Sequence, residues 1–323
     1  MTTQDRISIA VIGNGLMGAG ITQVFAMAGH DVMMIGRCDT RLAEARARIE
    51  ADMREFVSHG LLENAEAALE RISTSTRLGH AGSAGLVIEA VTEDLPLKRA
   101  IFADLDAICP ADVILSSSSG QPASALVDWV RRPERVIAAH FWYPAPMIPV
   151  VEVCAGPQTD PGVTLRVIEI LRAAGKEPVE ILKELPGMIG NRLQFALLRE
   201  AWSLWASGVA SAEAIDMVMK KTIGRRLGVT GPIESADLGG LDTLYSFAAS
   251  LQPHLDAHPD PSAEVGALVQ AGARGLSNGR GVYDWRARDG AALKAERMQE
   301  LFRWLALDRT PDCSAERGAD PRL

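Results

Sequence analysis

The chain has 323 residues, 47% of them hydrophobic and 23% charged, with a formal net charge of -8. That length is enough for one or two domains with a large core, and the composition is that of a soluble globular protein. The negative balance excludes a general attraction to nucleic acid or to an anionic membrane surface.

Taken in order, the chain opens with Met1 to Arg6 and runs straight into the apolar stretch Ile7 to Ile12, too short for a signal core and without a cleavage site. No apolar run approaches transmembrane length. Strands are predicted at Ile7 to Ile12, Asp31 to Ile35, Ile72 to Thr76, Leu86 to Val91, Val113 to Ser117, Val136 to Phe141, Val150 to Val153 and Pro178 to Leu182, with amphipathic helices between many of them. This alternation is the habit of an α/β fold, a doubly wound and mostly parallel sheet covered by helices. After Pro186-Gly187 the rhythm changes to helices: Arg192 to Ser207, Ser211 to Lys221 and Gly240 to Leu251. The expected division is a Rossmann-type nucleotide-binding domain over 1–184, an all-helical C-terminal domain over 185–308, and a loose polar tail over 309–323. Cys38, Cys109, Cys154 and Cys313 show neither C-x-x-C spacing nor close pairs. No metal site or disulfide framework is expected, and a reducing, cytoplasmic setting fits.

Gly13-Asn14-Gly15-Leu16-Met17-Gly18 follows the first strand and opens a helical stretch, Ala19 to Ala28. In that context the glycines permit a tight turn, close approach of a pyrophosphate to backbone N–H groups, and close packing of helix on strand. The end of the second strand then selects the dinucleotide. Where a carboxylate would accept hydrogen bonds from both ribose hydroxyls, this chain has Gly36, followed by Arg37. Loss of the carboxylate removes repulsion of a 2′-phosphate, and the guanidinium can pair with that phosphate and stack on adenine. NADP is therefore favoured over NAD; the bland reading, with Arg37 in solvent and Asp39 or a backbone group at the ribose, leaves NAD open.

The run His140-Phe141-Trp142-Tyr143-Pro144-Ala145-Pro146 ends one apolar segment, and Glu152 lies inside the next. Across a Pro-bounded turn the two side chains can meet as an oriented general base. A histidine after a strand is ordinarily structural, but a carboxylate on the following apolar run is hard to bury without a partner.

These segments, with Glu93-Asp94-Leu95-Pro96-Leu97-Lys98, Ser116 to Gly120, Pro186 to Arg192 and Gly279 to Tyr283, resemble the 3-hydroxyacyl-coenzyme A dehydrogenase family and its relatives that oxidise free hydroxy acids such as carnitine and gulonate. The resemblance runs from Ile7 to about Trp285. It implies that His140 takes the substrate hydroxyl proton during hydride transfer, that Glu152 orients it, and that Ser118 and Asn191 hold polar groups of the substrate. It also implies a homodimer. Four consecutive serines leave Ser117 and Ser119 open, although strand alternation sets Ser118 on the face opposite to them; a helix cap is the alternative for Asn191. By resemblance Glu93 and Lys98 flank the nicotinamide end of the cofactor, against the reading that both are ordinary helix-start charges.

Two departures bear on substrate. Tyr143 stands where acyl-CoA members often carry Asn, and Leu42 to Asn64 holds Arg46, Arg48 and Arg54 against Glu44, Glu50, Asp52, Glu55 and Glu63, no obvious clamp for a polyphosphate carrier. The expected function is hydride transfer between NAD(P) and the 3-hydroxyl of a 3-hydroxyacyl-CoA or related acid, giving the 3-keto product. A dehydrogenase of a small free hydroxy acid is the near alternative, and a non-catalytic dinucleotide-binding or sensing protein the distant one. The lysine-dependent β-hydroxyacid dehydrogenases fit poorly, because neither Lys176 nor Lys183 lies in a Gly-rich helical setting.

Overall fold

The computed structural model describes residues 6–309. Eight strands form one sheet in the order β3-β2-β1-β4-β5-β6-β7-β8: β1 Ser8–Ile12, β2 Asp31–Ile35, β3 Ile72–Ser75, β4 Leu86–Glu89, β5 Ile114–Ser117, β6 Val136–Phe141, β7 Val150–Ala155 and β8 Glu177–Ile181. Every neighbouring pair is parallel except β6 with β7. The strands read as near-continuous apolar runs because helices cover both faces. Four of the five residues of β1, and all six of β6, are buried.

The helices are α1 Leu16–Met27, α2 Asp39–Ser58, α3 Ala65–Leu69, α4 Leu95–Ile108, α5 Pro161–Ala173, α6 Gly190–Ala206, α7 Ala212–Lys221, α8 Ile223–Leu227, α9 Pro232–Leu238, α10 Leu241–Leu251, α11 Ala263–Gln270 and α12 Gly290–Asp308. Their starts are written in the sequence. Asp94 accepts a hydrogen bond from the Leu97 N–H ahead of α4, and Asp160 from the Gly162 N–H ahead of Pro161 in α5. One apolar core lies between the sheet and α1, α2 and α5, around Phe25, Met34, Ile49 and Val167; a second lies on the α4 face, around Val87, Phe102 and Leu105.

The chain divides into two compact units, one of Met1–Ile189 with Arg297–Leu323 and the other Gly190–Glu296. The first boundary falls a few residues beyond the expected 184/185 division. The segment from Arg297 returns to the first unit, where the expectation kept everything to 308 in the helical domain. Phe302 and Leu305 of α12 are buried there with Phe56 and Met147. Of the expected tail, only Arg309 lies among the described residues; its guanidinium donates to the Leu61 carbonyl at 2.6 Å. The second unit is helical, and none of the residues of α6 to α11 is buried. Among the described residues no helix is long and apolar enough to cross a membrane.

Candidate active site

The carboxyl ends of β1, β2 and β4 frame a cavity of about 760 Å3, within the range of about 300–1,000 Å3 usual for ligand sites. The glycines after β1 shape it in three different ways. Gly13 has φ +120°, and a Cβ there would sit 2.5 Å from the Ala90 carbonyl oxygen. At Gly18 a Cβ would meet the Gly13 carbonyl at 2.0 Å, so only glycine lets the first turn of α1 lie against the loop. Gly15 is different: a Cβ would touch nothing within 4 Å. The loop is thus tight on its protein side and open on its cavity side, the form that lets a pyrophosphate approach backbone N–H groups at a helix start.

Gly13, Gly15, Leu16, Gly36 and Arg37, expected at the cofactor, all line this cavity. Met17 instead packs against the core, and Gly18 makes the close approach just described. At Gly36 a Cβ would come within 3.0 Å of Asn14 Oδ1 and Leu42 Cδ2, so a side chain there requires those two side-chain ends to give way by a few tenths of an ångström. Arg41, Glu44 and Arg48 also line the cavity. Sequence reasoning did not assign these three to the cofactor. Their signal was the three- and four-residue spacing along α2, which sets them on one helix face.

At the ends of β4 and β5 lies a buried polar network. Glu89 is 0% and Lys98 1% exposed, with Nζ 2.8 Å from Oε1. The same oxygen accepts the Val91 N–H at 2.7 Å, and Oε2 accepts Ser117 Oγ at 2.7 Å. Ser119 Oγ donates to Glu93 at 2.8 Å, and the Ser118 N–H to the Glu89 carbonyl at 2.8 Å. Ser117 and Ser119 are therefore committed to carboxylates. Lys98 faces inward to Glu89, and its Nζ also lies 3.7 Å from Glu93 Oε1, so the two residues expected together do converge, although neither is among the residues lining the cavity. Glu89 was missed by sequence reasoning; its signal was an acidic residue ending a β-branched run.

His140 and Glu152 stand directly opposite each other in the antiparallel β6–β7 pair. That register puts both side chains on one face. His140 Nδ1 is 2.9 Å from Glu152 Oε2, and both side chains are largely buried. A carboxylate only accepts, so the proton is assigned to Nδ1 and the lone pair to Nε2. Trp142 Nε1 donates to the same Oε2 at 3.3 Å, and the Ile189 N–H to Oε1 at 2.8 Å. Donors on both oxygens fix the carboxylate in place, an arrangement that can hold the imidazole in one orientation with Nε2 as its accepting nitrogen. Asn191 lies in the first turn of α6, in the second unit. Among the described residues no group of three or more His, Cys, Asp or Glu side chains is placed to hold a metal ion.

The 3-hydroxyacyl-CoA dehydrogenase NAD binding domain matches residues 8–185, and the C-terminal domain of the same family matches 187–285. The chain belongs to the 3-hydroxyacyl-CoA dehydrogenase family. Among family relatives, it is 34% identical over 310 residues to 3-hydroxyadipyl-CoA dehydrogenase of Escherichia coli strain K12, covering 94% of this chain and 64% of that longer protein. It is 32% identical to 3-hydroxybutyryl-CoA dehydrogenase of Clostridioides difficile, over 86% of this chain and 99% of the relative. A crystal structure of 5-formyl-3-hydroxy-2-methylpyridine 4-carboxylic acid 5-dehydrogenase, an NAD+-dependent dismutase, superposes with a TM-score of 0.87 at 29% identity, over 93% of this chain and 98% of the other.

Proposed function

We propose that this protein interconverts a 3-hydroxyacyl-CoA with its 3-keto counterpart, passing hydride between the hydroxyl-bearing carbon and NAD. The observation that carries the reading is the His140–Glu152 pair, with Nδ1 to Oε2 at 2.9 Å, on the sheet that also carries the glycine loop. When bound, the nicotinamide accepts or returns the hydride. His140 Nε2 takes the hydroxyl proton in oxidation and returns it to the keto oxygen in reduction, while Glu152 stabilises the imidazolium formed between. Within the first unit, Ser118 is assigned to the reacting oxygen. Reduced-nicotinamide absorbance with 3-hydroxybutyryl-CoA tests the reading: turnover by the wild type and none by His140→Ala, with cofactor binding retained, is expected. Unchanged activity in His140→Ala contradicts it.

A second reading, a small free hydroxy acid as substrate, is favoured by one further cavity. It has a volume of about 120 Å3 and is lined by Tyr143, by Asp52 and Glu55 against Arg48, and by Phe302. Tyr143 is 60% exposed. Two carboxylates against one guanidinium disfavour a phosphate-bearing carrier, and the dehydrogenase with TM-score 0.87 is named for a pyridine carboxylate. Turnover of free 3-hydroxy acids with no thioester activity selects this reading.

Arg37 and Arg41 beside an acid-free Gly36 favour use of NADP as well as NAD. A selective loss of NADP affinity in Arg37→Ala is expected; equal loss for both cofactors contradicts a 2′-phosphate role. Two copies pair through the helical unit, where Phe195, Val229, Leu238, Tyr245 and Phe247 are each more than half exposed. Sedimentation at twice the chain mass checks this. A reducing, cytoplasmic setting belongs to the same reading and is supported by four cysteines with neither C-x-x-C spacing nor close pairs.

A further inference from the structure

Lys176 takes no part in the reaction proposed above, yet it is a charged group 7% exposed. Its described hydrogen bonds both go to backbone carbonyls: Nζ donates to Ala145 at 2.6 Å and to Ile148 at 2.9 Å. Burial brings its ammonium down to about 8, with Arg309 acting in the same direction. Burying a cation is costly, and an apolar side chain would fill the same space at lower cost. The two carbonyls it serves explain its presence.

Ala145 and Ile148 belong to the connection between β6 and β7, residues 142–149, which joins the strand of His140 to the strand of Glu152. Within that connection the Met147 and Ile148 N–H groups both turn back to the Pro144 carbonyl. The carbonyls of Ala145 and Ile148 are left for Lys176. Its neighbour Glu177 begins β8, and the Glu177 N–H donates to the Pro149 carbonyl at 2.9 Å, so the lysine is fixed to the same edge of the sheet. On the other flank Met147 is buried against Phe56 and Phe302.

We propose that Lys176 is a positioning residue: its ammonium clamps the β6–β7 connection, and through it sets the geometry of the His140–Glu152 pair and of Tyr143. The proposal rests on the reading of that pair as the catalytic one. It acts through backbone and makes no contact with reacting atoms.

The test compares full-length wild type with Lys176→Met, Lys176→Gln and Lys176→Arg, measuring kcat, KM and NAD affinity. Ile168→Ala, a truncation in the α5 core, serves as the control for plain destabilisation. Lys176→Met is expected to lose about tenfold or more in kcat, as small displacements of reacting groups do, with NAD affinity within about twofold. Lys176→Gln, which can reach fewer carbonyls, falls between, and serves in place of the methionine variant should that one not fold. Lys176→Arg, which keeps a cation with several donors, recovers activity relative to methionine. A folded methionine or glutamine variant with wild-type kcat overturns the proposal, as does a matching loss in Ile168→Ala. One readout is independent of substrate identity: the 15N resonance of His140 Nδ1, assigned by its loss in His140→Ala. A shift in Lys176→Met supports the clamp, and an unmoved resonance overturns it even if the wild type turns over neither substrate class; such inactivity would itself count against the proposed function.

Discussion

Replacing Glu152 by glutamine isolates the proton chemistry with almost no change of shape. In the native site Oε2 accepts from His140 Nδ1 at 2.9 Å and Trp142 Nε1 at 3.3 Å, and Oε1 accepts from the Ile189 N–H at 2.8 Å. An amide has one accepting oxygen, so neither flip satisfies all three donors. With the oxygen toward His140, the NH2 faces the Ile189 N–H. With the NH2 toward His140, the ring escapes a donor–donor clash only by moving its proton to Nε2, which abolishes the base. A hydrogen bond to a charged group is worth about 1.5–3 kcal/mol, which corresponds to a loss of roughly ten- to 150-fold in kcat/KM. The tautomer switch adds to that loss. Steady-state kinetics beside NAD titration form the assay, with affinity for NAD expected within about twofold of the wild type. A Glu152→Gln enzyme retaining more than about a third of wild-type kcat/KM would refute the assignment, because that is under about 0.7 kcal/mol.

Three further outcomes follow from other parts of the first unit. Gly15→Ala should fold with wild-type stability but bind NAD more weakly, since its Cβ enters the open side of the loop, whereas Gly18→Ala should lower the melting temperature because its Cβ would meet the Gly13 carbonyl at 2.0 Å; the opposite pattern in thermal melts and NAD titrations contradicts the cradle. Lys98→Met strands the buried Glu89 carboxylate and should cost about 3–5 kcal/mol in urea denaturation, and a loss below about 1 kcal/mol would show the network to be dispensable. His30 is buried, its Nε2 has no hydrogen-bond partner among the described residues, and burial holds its pKa below the ordinary 6.5. The unfolded chain therefore binds a proton that the folded state refuses, so the contribution is full above pH 6.5 and is lost as pH falls below it, with a slope of at most about 1.4 kcal/mol per pH unit; a His30→Leu variant with the same acid slope would exclude this residue as its source.

The sheet was legible because parallel strands buried on both faces must be written as short β-branched runs, and all eight expected strands are present within a few residues of their expected ends. The His140–Glu152 contact was legible for a related reason: a short Pro-bounded connection between two apolar runs leaves few registers, and the observed one sets the pair opposite. The division between units was harder to locate. Pro186-Gly187 marks a turn, but Met188 is then buried beside Cys154 and Ile181, and the Ile189 N–H reaches Glu152, so the chain leaves the first unit only at Gly190. Lys98 could be read equally as a cofactor-side residue or as an ordinary helix-start charge because its buried partner, Glu89, lies on the preceding strand. The return of α12 and the clamp made by Lys176 depend on contacts 31 residues apart for Lys176 with Ala145 and much farther for Phe302 with Phe56. No local period or spacing encodes such contacts.

Hydride transfer from the hydroxyl-bearing carbon, with His140 as base, is read without intermediary by an isotopic label. A 3-hydroxyacyl-CoA or free 3-hydroxy acid carrying deuterium on that carbon is incubated with NAD and the enzyme, and the reduced cofactor is analysed by mass spectrometry. One deuterium is expected in the reduced nicotinamide for the wild type, and no reduced cofactor for His140→Ala. Deuterium released to solvent, or label transfer undiminished in His140→Ala, would contradict it.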